Sequence, residues 1–214
     1  GKHPLEVKQA RLFGVPTKVF MNKFPKFNPH LNVVKTKDLP WVKDADEKLT
    51  RYMICDPAGS KPWVMIWVAV DSGNRWWVYR EWPDVTSGPW ALPHADAHGK
   101  PVGKPGSGQR PLGYGYSDYA NLISDLEGEE EIFERLVDPR FGKATVRTGQ
   151  GETDMIREMM NFDVVMRAAP GLDIEHGLQK INDLLSWDDS SARSDENRPS
   201  FYVSEDCENV IYAM

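Results

Sequence analysis

The chain has 214 residues, 40% of them hydrophobic and 27% charged, which suits one large domain with a substantial core, or one domain plus an extension, and excludes a disordered chain. No apolar run approaches a membrane span, and the first residues, GKHPLEVKQ, carry no apolar signal segment; the expectation is a cytosolic protein that is neither membrane-bound nor secreted. The net charge of −6 hides an asymmetry: residues 1–43 carry +7 and the remainder −13, so a basic leader precedes an acidic body. The leader's lysines suit a phosphate backbone and serve equally as solubilising charge. Cys55 and Cys207 are the only cysteines, neither in a metal-type pair, and buried free thiols are expected.

Within residues 1–43, Pro4, Gly14, Pro16, Pro25, Pro29 and Pro40 interrupt any long element, so the segment reads as a linker or arm, with the folded domain spanning 44–214. The stretch from Arg51 to Pro83 predicts three consecutive strands. The first, Leu49 to Cys55, stops at Asp56-Pro57, because proline has no N–H for a sheet ladder. The second, Trp63 to Val70, is apolar without interruption, as in a strand covered on both faces. The third, Arg75 to Trp82, alternates, with Trp77, Tyr79 and Glu81 on one face. Short turns between them imply an antiparallel meander.

A Gly- and Pro-rich loop at 88–116 follows and is expected to be mobile or functional. It carries Lys100, Lys104 and Arg110, suited either to DNA phosphates or to plain solvation. His94 and His98 lack the companion ligands that structural zinc requires. Ser117 to Glu134 reads as a helix capped by Ser117. A short strand, Phe133 to Val137, closes on Asp138-Pro139, the second strand in the chain to stop at Asp-Pro. Then come a Met-striped helix from Glu152 to Asn161, a strand from Asp163 to Ala168, an amphipathic helix from Asp173 to Leu185, a short strand from Phe201 and a last helix capped near Ser204.

An antiparallel meander followed by helix–strand units is the wiring of a ribonuclease H-like mixed sheet, in which the fourth strand lies beside the first and parallel to it. That wiring puts Asp56 and Asp138 at one end of adjacent strands, about 4.8 Å apart. Two carboxylates that close call for a cation between them. Hard oxygen donors select Mg²⁺ or Mn²⁺, and a pair of such ions activates water and stabilises the leaving oxygen in phosphodiester cleavage. Asp56 and Asp138 are therefore the candidate catalytic and metal-ligating residues. Lys61 and Arg140, just past them, are suited to DNA phosphates or to neutralising the acids. Glu81 could support the site or pair with Arg80 or Lys61, while Asp183 reads as exposed.

The segments ARLFGVPTKVFMNKFPKF (10–27), CDPAGSKPWVMIWVAVD (55–71), YREWPD (79–84), ERLVDPR (134–140), GLDIEHGLQKINDLL (171–185) and FYVSEDCENVIYAM (201–214) together resemble the C-terminal nuclease domain of tailed-phage large terminase subunits, the DNA-packaging motor. The resemblance implies a metal-dependent endonuclease that cuts concatemeric double-stranded DNA in the host cytoplasm. It matches Asp56 and Asp138 to the first and second catalytic acids. Its implied partners are DNA, the terminase ATPase domain, the small terminase subunit and the portal. It places the third acid beyond Met214 and likens residues 1–43 to the junction after the ATPase, whose phosphate-cradling G-x-x-x-x-G-K-[ST] loop is not in this sequence. A DNA- or portal-docking module without catalysis, and a related resolvase or integrase-type nuclease, are the alternative readings.

Overall fold

The computed structural model describes residues 23–58, 61–87, 93–95, 101–105, 113–142, 145–148, 151–171, 173–188, 190–192, 194 and 197–214, with backbone only for 93–95, 101–105 and 146–148. Eleven described strands follow one another as β1 (Val33–Val34), β2 (Leu49–Asp56), β3 (Val64–Asp71), β4 (Trp76–Trp82), β5 (Pro93–Ala95), β6 (Pro101–Pro105), β7 (Ile132–Val137), β8 (Thr145–Thr148), β9 (Gly151–Asp154), β10 (Arg167–Ala168) and β11 (Phe201–Ser204). The helices that matter for the site are α1 (Tyr116–Glu127), α2 (Pro139–Gly142), α3 (Met155–Met160), α4 (Ile174–Leu185) and α5 (Glu208–Ala213). Seven strands form one sheet in the order β1-β11-β4-β3-β2-β7-β10, while β5–β6 and β8–β9 are separate two-stranded ribbons. The β2–β3–β4 meander is antiparallel, and β7 and then β10 add to it in parallel. This is the ribonuclease H-like order expected from the succession of elements.

The uninterrupted apolar run of β3 is explained by its central place. Met65 and Trp67 face a cluster with Met53, Cys55, Tyr119, Ile123, Val137, Met155 and Met159, under α1 and α3. Val68, with Ile66 packed alongside, belongs to the opposite cluster, with Val78, Leu185, Val203 and Val210 under α4 and α5. The two cysteines are free and buried, Cys55 in the first layer and Cys207 in the second. None of the described helices is long and apolar enough to cross a membrane.

Several boundaries differ from expectation. Helix α1 begins after Gly115, whose N–H is accepted by Asp118, rather than at a Ser117 cap, and it ends at Gly128 with φ +55°, where a residue without Cβ is favoured. The Met-striped helix is shorter than 152–161, because residues Gly151–Asp154 form β9 and Asp154 caps the helix by accepting the Arg157 N–H. The strand expected from Asp163 is reduced to Arg167–Ala168; Asp163 has φ 62°, a left-handed conformation that no strand accommodates.

Strand β4 carries an irregularity in its pairing with β3 between Trp67 and Val68: Trp67 pairs with Arg80 and Val68 with Val78. The extra residue, Tyr79, shifts the alternation, so Arg80 shares a face with Trp67, and Glu81 pairs with Ile66 on the other side. Glu81 is buried there and accepts the Asn209 N–H (3.0 Å), the Asn209 side-chain amide (2.9 Å) and the Val210 N–H (2.9 Å). It therefore caps α5 from the sheet, in place of the Ser204 cap suggested by the sequence. Burial raises the Glu81 pKa, and those hydrogen bonds oppose the rise.

On the other layer, Glu127 at the end of α1 is buried. It accepts the Trp67 indole N–H at 3.1 Å and the forked Arg135 guanidinium at 2.5–3.1 Å. Glu130 accepts from Tyr79 Oη (2.6 Å) and Arg80 Nη2 (2.5 Å), and the Arg80 guanidinium lies 5.6 Å from the Trp67 ring centroid. Acidic residues at a helix C-terminus oppose its dipole, so these bonds to sheet residues are what hold the crossover helix down. Replacing Glu127 with Ala leaves a buried indole donor and a guanidinium without their acceptor, and is expected to cost about 3 kcal/mol in urea unfolding; Glu127→Gln, which keeps an acceptor, should lose less than half of that.

Candidate metal-binding and catalytic site

Strands β2 and β7 stop side by side. Cys55 pairs with Val137 in the parallel ladder, and the Asp138 N–H donates to the Cys55 carbonyl at 3.2 Å. The next residue on β2 is Asp56, so the two acids leave neighbouring strand ends at the same edge of the sheet. Pro57 and Pro139 supply no N–H to the ladder, which is why the strands end there. Beyond Asp138 the Ala169 N–H donates to the Val137 carbonyl at 2.8 Å, fixing that strand end from the β10 side as well.

The alignment depends on a pairing irregularity. Arg51 pairs with Ile132, but Tyr52 pairs with Glu134, so Phe133 is an extra residue on β7. Without it Cys55 would face Leu136, and the acids would be one residue out of step, a shift that swaps faces. Phe133 leans edge-on to Tyr52, with ring centroids 5.7 Å apart, and is 68% exposed.

Aromatic rings pack on the Cys55 face of this strand end, opposite the exposed side chain of Asp56. Trp63, just before β3, stacks on Tyr119 of α1 with centroids 3.8 Å apart, and its backbone N–H donates to the Tyr119 hydroxyl at 3.1 Å. Trp82 meets Tyr119 edge-on at 5.9 Å. These rings hold the residue that leads into β3, across the antiparallel ladder from the end of β2.

The two acids differ electrostatically. Asp56 has its pKa raised, first by desolvation at the sheet end and then by the charge of Asp138, with Arg140 acting in the opposite direction. Asp138 has its pKa lowered, chiefly by its hydrogen bonds from the Arg140 side chain. Arg140 donates its N–H to Oδ1 at 2.8 Å, Nε to Oδ1 and Oδ2 at 3.1 and 3.2 Å, and Nη2 to Oδ2 at 2.5 Å. Of the two roles open to Arg140 in the sequence, the structure displays neutralisation of Asp138.

Lys61 is exposed in the β2–β3 turn, at the same end of β2 as Asp56. Lys100 and Arg110 lie outside the described residues, and so does the Lys104 side chain; the same holds for the side chains of His94 and His98 and for most of the 88–116 loop. Glu81 is not at the site, since its oxygens are committed to α5, and Arg80 is committed to Glu130. Asp183 is exposed, as expected, and accepts from Gln179. Among the described residues no group of three or more His, Cys, Asp or Glu side chains could hold a metal ion. The Asp56–Asp138 pair nevertheless suits a hard divalent cation, because Mg²⁺ is commonly held by one or two carboxylates, with waters and substrate phosphates completing its shell. After desolvation, the charge of Asp138 also raises the Asp56 pKa, and that part is what such a cation relieves.

No protein-family model matches the sequence, and no curated protein matches it. Among solved structures, two crystal forms of the large terminase from the thermophilic bacteriophage D6E align with 89% of this chain, at TM-scores of 0.54 and 0.52 and identities of 14% and 13%. The P22 large terminase nuclease domain aligns over 87% of this chain and 73% of its own, at 12% identity and TM-score 0.49. The D6E likeness is one of fold, and the chain spans only about a third (36%) of the length of the D6E protein.

The opposite shifts of the two acids give opposite stability signs. A raised pKa means that Asp56 contributes stability below the ordinary carboxylate range and loses it as pH rises through the raised value; Asp138 contributes above that range and loses its share as pH falls through its lowered pKa. Asp56→Asn should therefore raise the thermal midpoint slightly at neutral pH, with the gain shrinking as pH falls into the ordinary carboxylate range, and Asp138→Asn should lower it. Differential scanning fluorimetry across pH reads both.

Proposed function

We propose that this chain is a metal-dependent endonuclease domain that cuts concatemeric double-stranded viral DNA during genome packaging. The observation that carries the reading is the convergence of Asp56 and Asp138 at the ends of adjacent parallel strands, with their charges coupled. The shared fold with the D6E large terminase supports it.

Asp56 and Asp138 are the residues that would hold Mg²⁺ or Mn²⁺, two ions in the full arrangement. When bound, the ions supply an activated water and charge stabilisation for the leaving oxygen. The chain's own part is to present two carboxylates in fixed register at one end of the sheet and to favour the ionised form of Asp138 through Arg140. In this proposal Lys61 and Arg140 contact the DNA backbone beside the acids, and Lys100, Lys104 and Arg110 add further basic contacts to phosphate. The proposal keeps residues 1–43 as the connection from domain 44–214 to the motor, with their β1 (Val33–Val34) anchored in the domain's sheet beside β11, and has the terminase ATPase domain, small subunit and portal as partners in the host cytoplasm.

A second reading has one observation in its favour: the described residues hold two carboxylates and no third ligand. A DNA- or portal-docking module would then bind DNA by charge alone, with a steep salt dependence and no divalent requirement. Plasmid cleavage with added Mn²⁺ separates the readings. The intact chain should nick and linearise plasmid, and Asp56→Ala and Asp138→Ala should each lose about two to three orders of magnitude in rate. Undiminished cutting by both variants rejects the assignment.

A further inference from the structure

The four hydrogen bonds that Asp138 accepts from Arg140 involve both of its oxygens. Three come from the guanidinium, which lies on the solvent side: the Arg140 side chain is 77% exposed and that of Asp138 20%. The fourth comes from the Arg140 backbone N–H, which would keep Oδ1 oriented if the guanidinium left. A divalent cation shared by Asp56 and Asp138 needs those same oxygens, and a guanidinium and a divalent ion repel each other at such a distance. The planar fork of arginine matches carboxylate and phosphate alike, so one group can pass from the first to the second without losing its paired geometry.

We propose that Arg140 is a positioning residue that competes with the divalent cation for Asp138 and is handed over to a DNA phosphate when the cation enters. The inference rests on the nuclease reading of the Asp56–Asp138 site and adds a coupling to it: cation and DNA each favour the other's binding through the same side chain, reciprocally. Until both are present, Arg140 offsets the charge of the acidic pair; once they are, the same charge faces the backbone beside the reacting phosphate. A lysine at this position could balance the charge, but its point-like ammonium has no fork to transfer.

The test compares the intact chain with Arg140→Gln, which keeps the fold and whose unfolding midpoint should fall no further than that of Asp138→Asn, since both lose the same exposed pair. Mn²⁺ affinity is measured by calorimetry without DNA, and affinity for a short blunt duplex is measured by fluorescence anisotropy in Ca²⁺. Arg140→Gln should bind Mn²⁺ roughly three- to tenfold more tightly and the duplex weaker by a similar factor. A merely structural role for Arg140 moves neither quantity in these opposed directions. Unchanged or weaker Mn²⁺ binding, or unchanged duplex binding, overturns the hand-over. If Asp56→Asn abolishes Mn²⁺ binding while Arg140→Gln leaves it unaltered, the hand-over fails and the nuclease site stands. If neither the intact chain nor Arg140→Gln binds Mn²⁺, both fall.

Discussion

The parallel ladder between β2 and β7 is the constraint on which the rest of the molecule depends. Parallel neighbours cannot be joined by a tight turn, so the chain must leave the meander, cross one face of the sheet through α1 and return. The return has to land in one register. Because side chains alternate, an error of a single residue would turn one acid to the opposite face. The additional residue at Phe133 sets the phase, and the Asp138 N–H to Cys55 carbonyl bond fixes it at the last rung. A stretch of β7 that reads as an unremarkable short strand thereby decides whether two distant parts of the sequence share one electrostatic environment.

The crossover is secured by polar groups more than its length suggests. Glu127 and Glu130 sit where a helix end least favours negative charge, yet each is answered by a donor from the sheet: Trp67 and Arg135 for one, Tyr79 and Arg80 for the other. On the opposite layer Glu81 performs the converse task, meeting the N-terminal amides of α5 with a buried carboxylate. A helix of six residues has little stability of its own, so its position is borrowed from β4. Three acidic side chains thus hold helices against the sheet, while at the sheet end the charge of Asp138 adds to desolvation in raising the Asp56 pKa.

The parts legible in the sequence were those written in local patterns. The meander, the strand-ending Asp-Pro pairs and the amphipathic helix α4 follow from turn residues, proline's missing donor and apolar spacing, and the structure contains each of them. What was illegible came from pairing. The irregularities at Tyr79 and Phe133 leave no mark in composition, so strict alternation sets Glu81 on the face of Trp77, whereas the structure turns it to the face of Val78. The left-handed backbone at Asp163 and the ribbon strand Gly151–Asp154 broke two elements whose apolar content suggested longer ones. The juxtaposition of Asp56 with Asp138 was reachable only by supposing a topology, since 82 positions separate them in the sequence. The Arg140 fork, by contrast, needed only two residues of separation, yet its choice of Asp138 as partner is a matter of side-chain geometry that spacing does not encode.

The two sulfur atoms lie on opposite sides of the sheet. Cys55 sits beneath α1 and α3, one residue from Asp56, while Cys207 sits beneath α4 and α5, at the start of the helix that Glu81 holds. Burial pushes both thiols well above their usual pKa, so alkylating reagents meet neither of them as a thiolate while the layers stay closed. Each is thus a built-in reporter for its own layer. Modification of Cys55 times the opening of the acidic edge, modification of Cys207 times the lifting of the last helix, and the two clocks can be read in one sample by peptide mass.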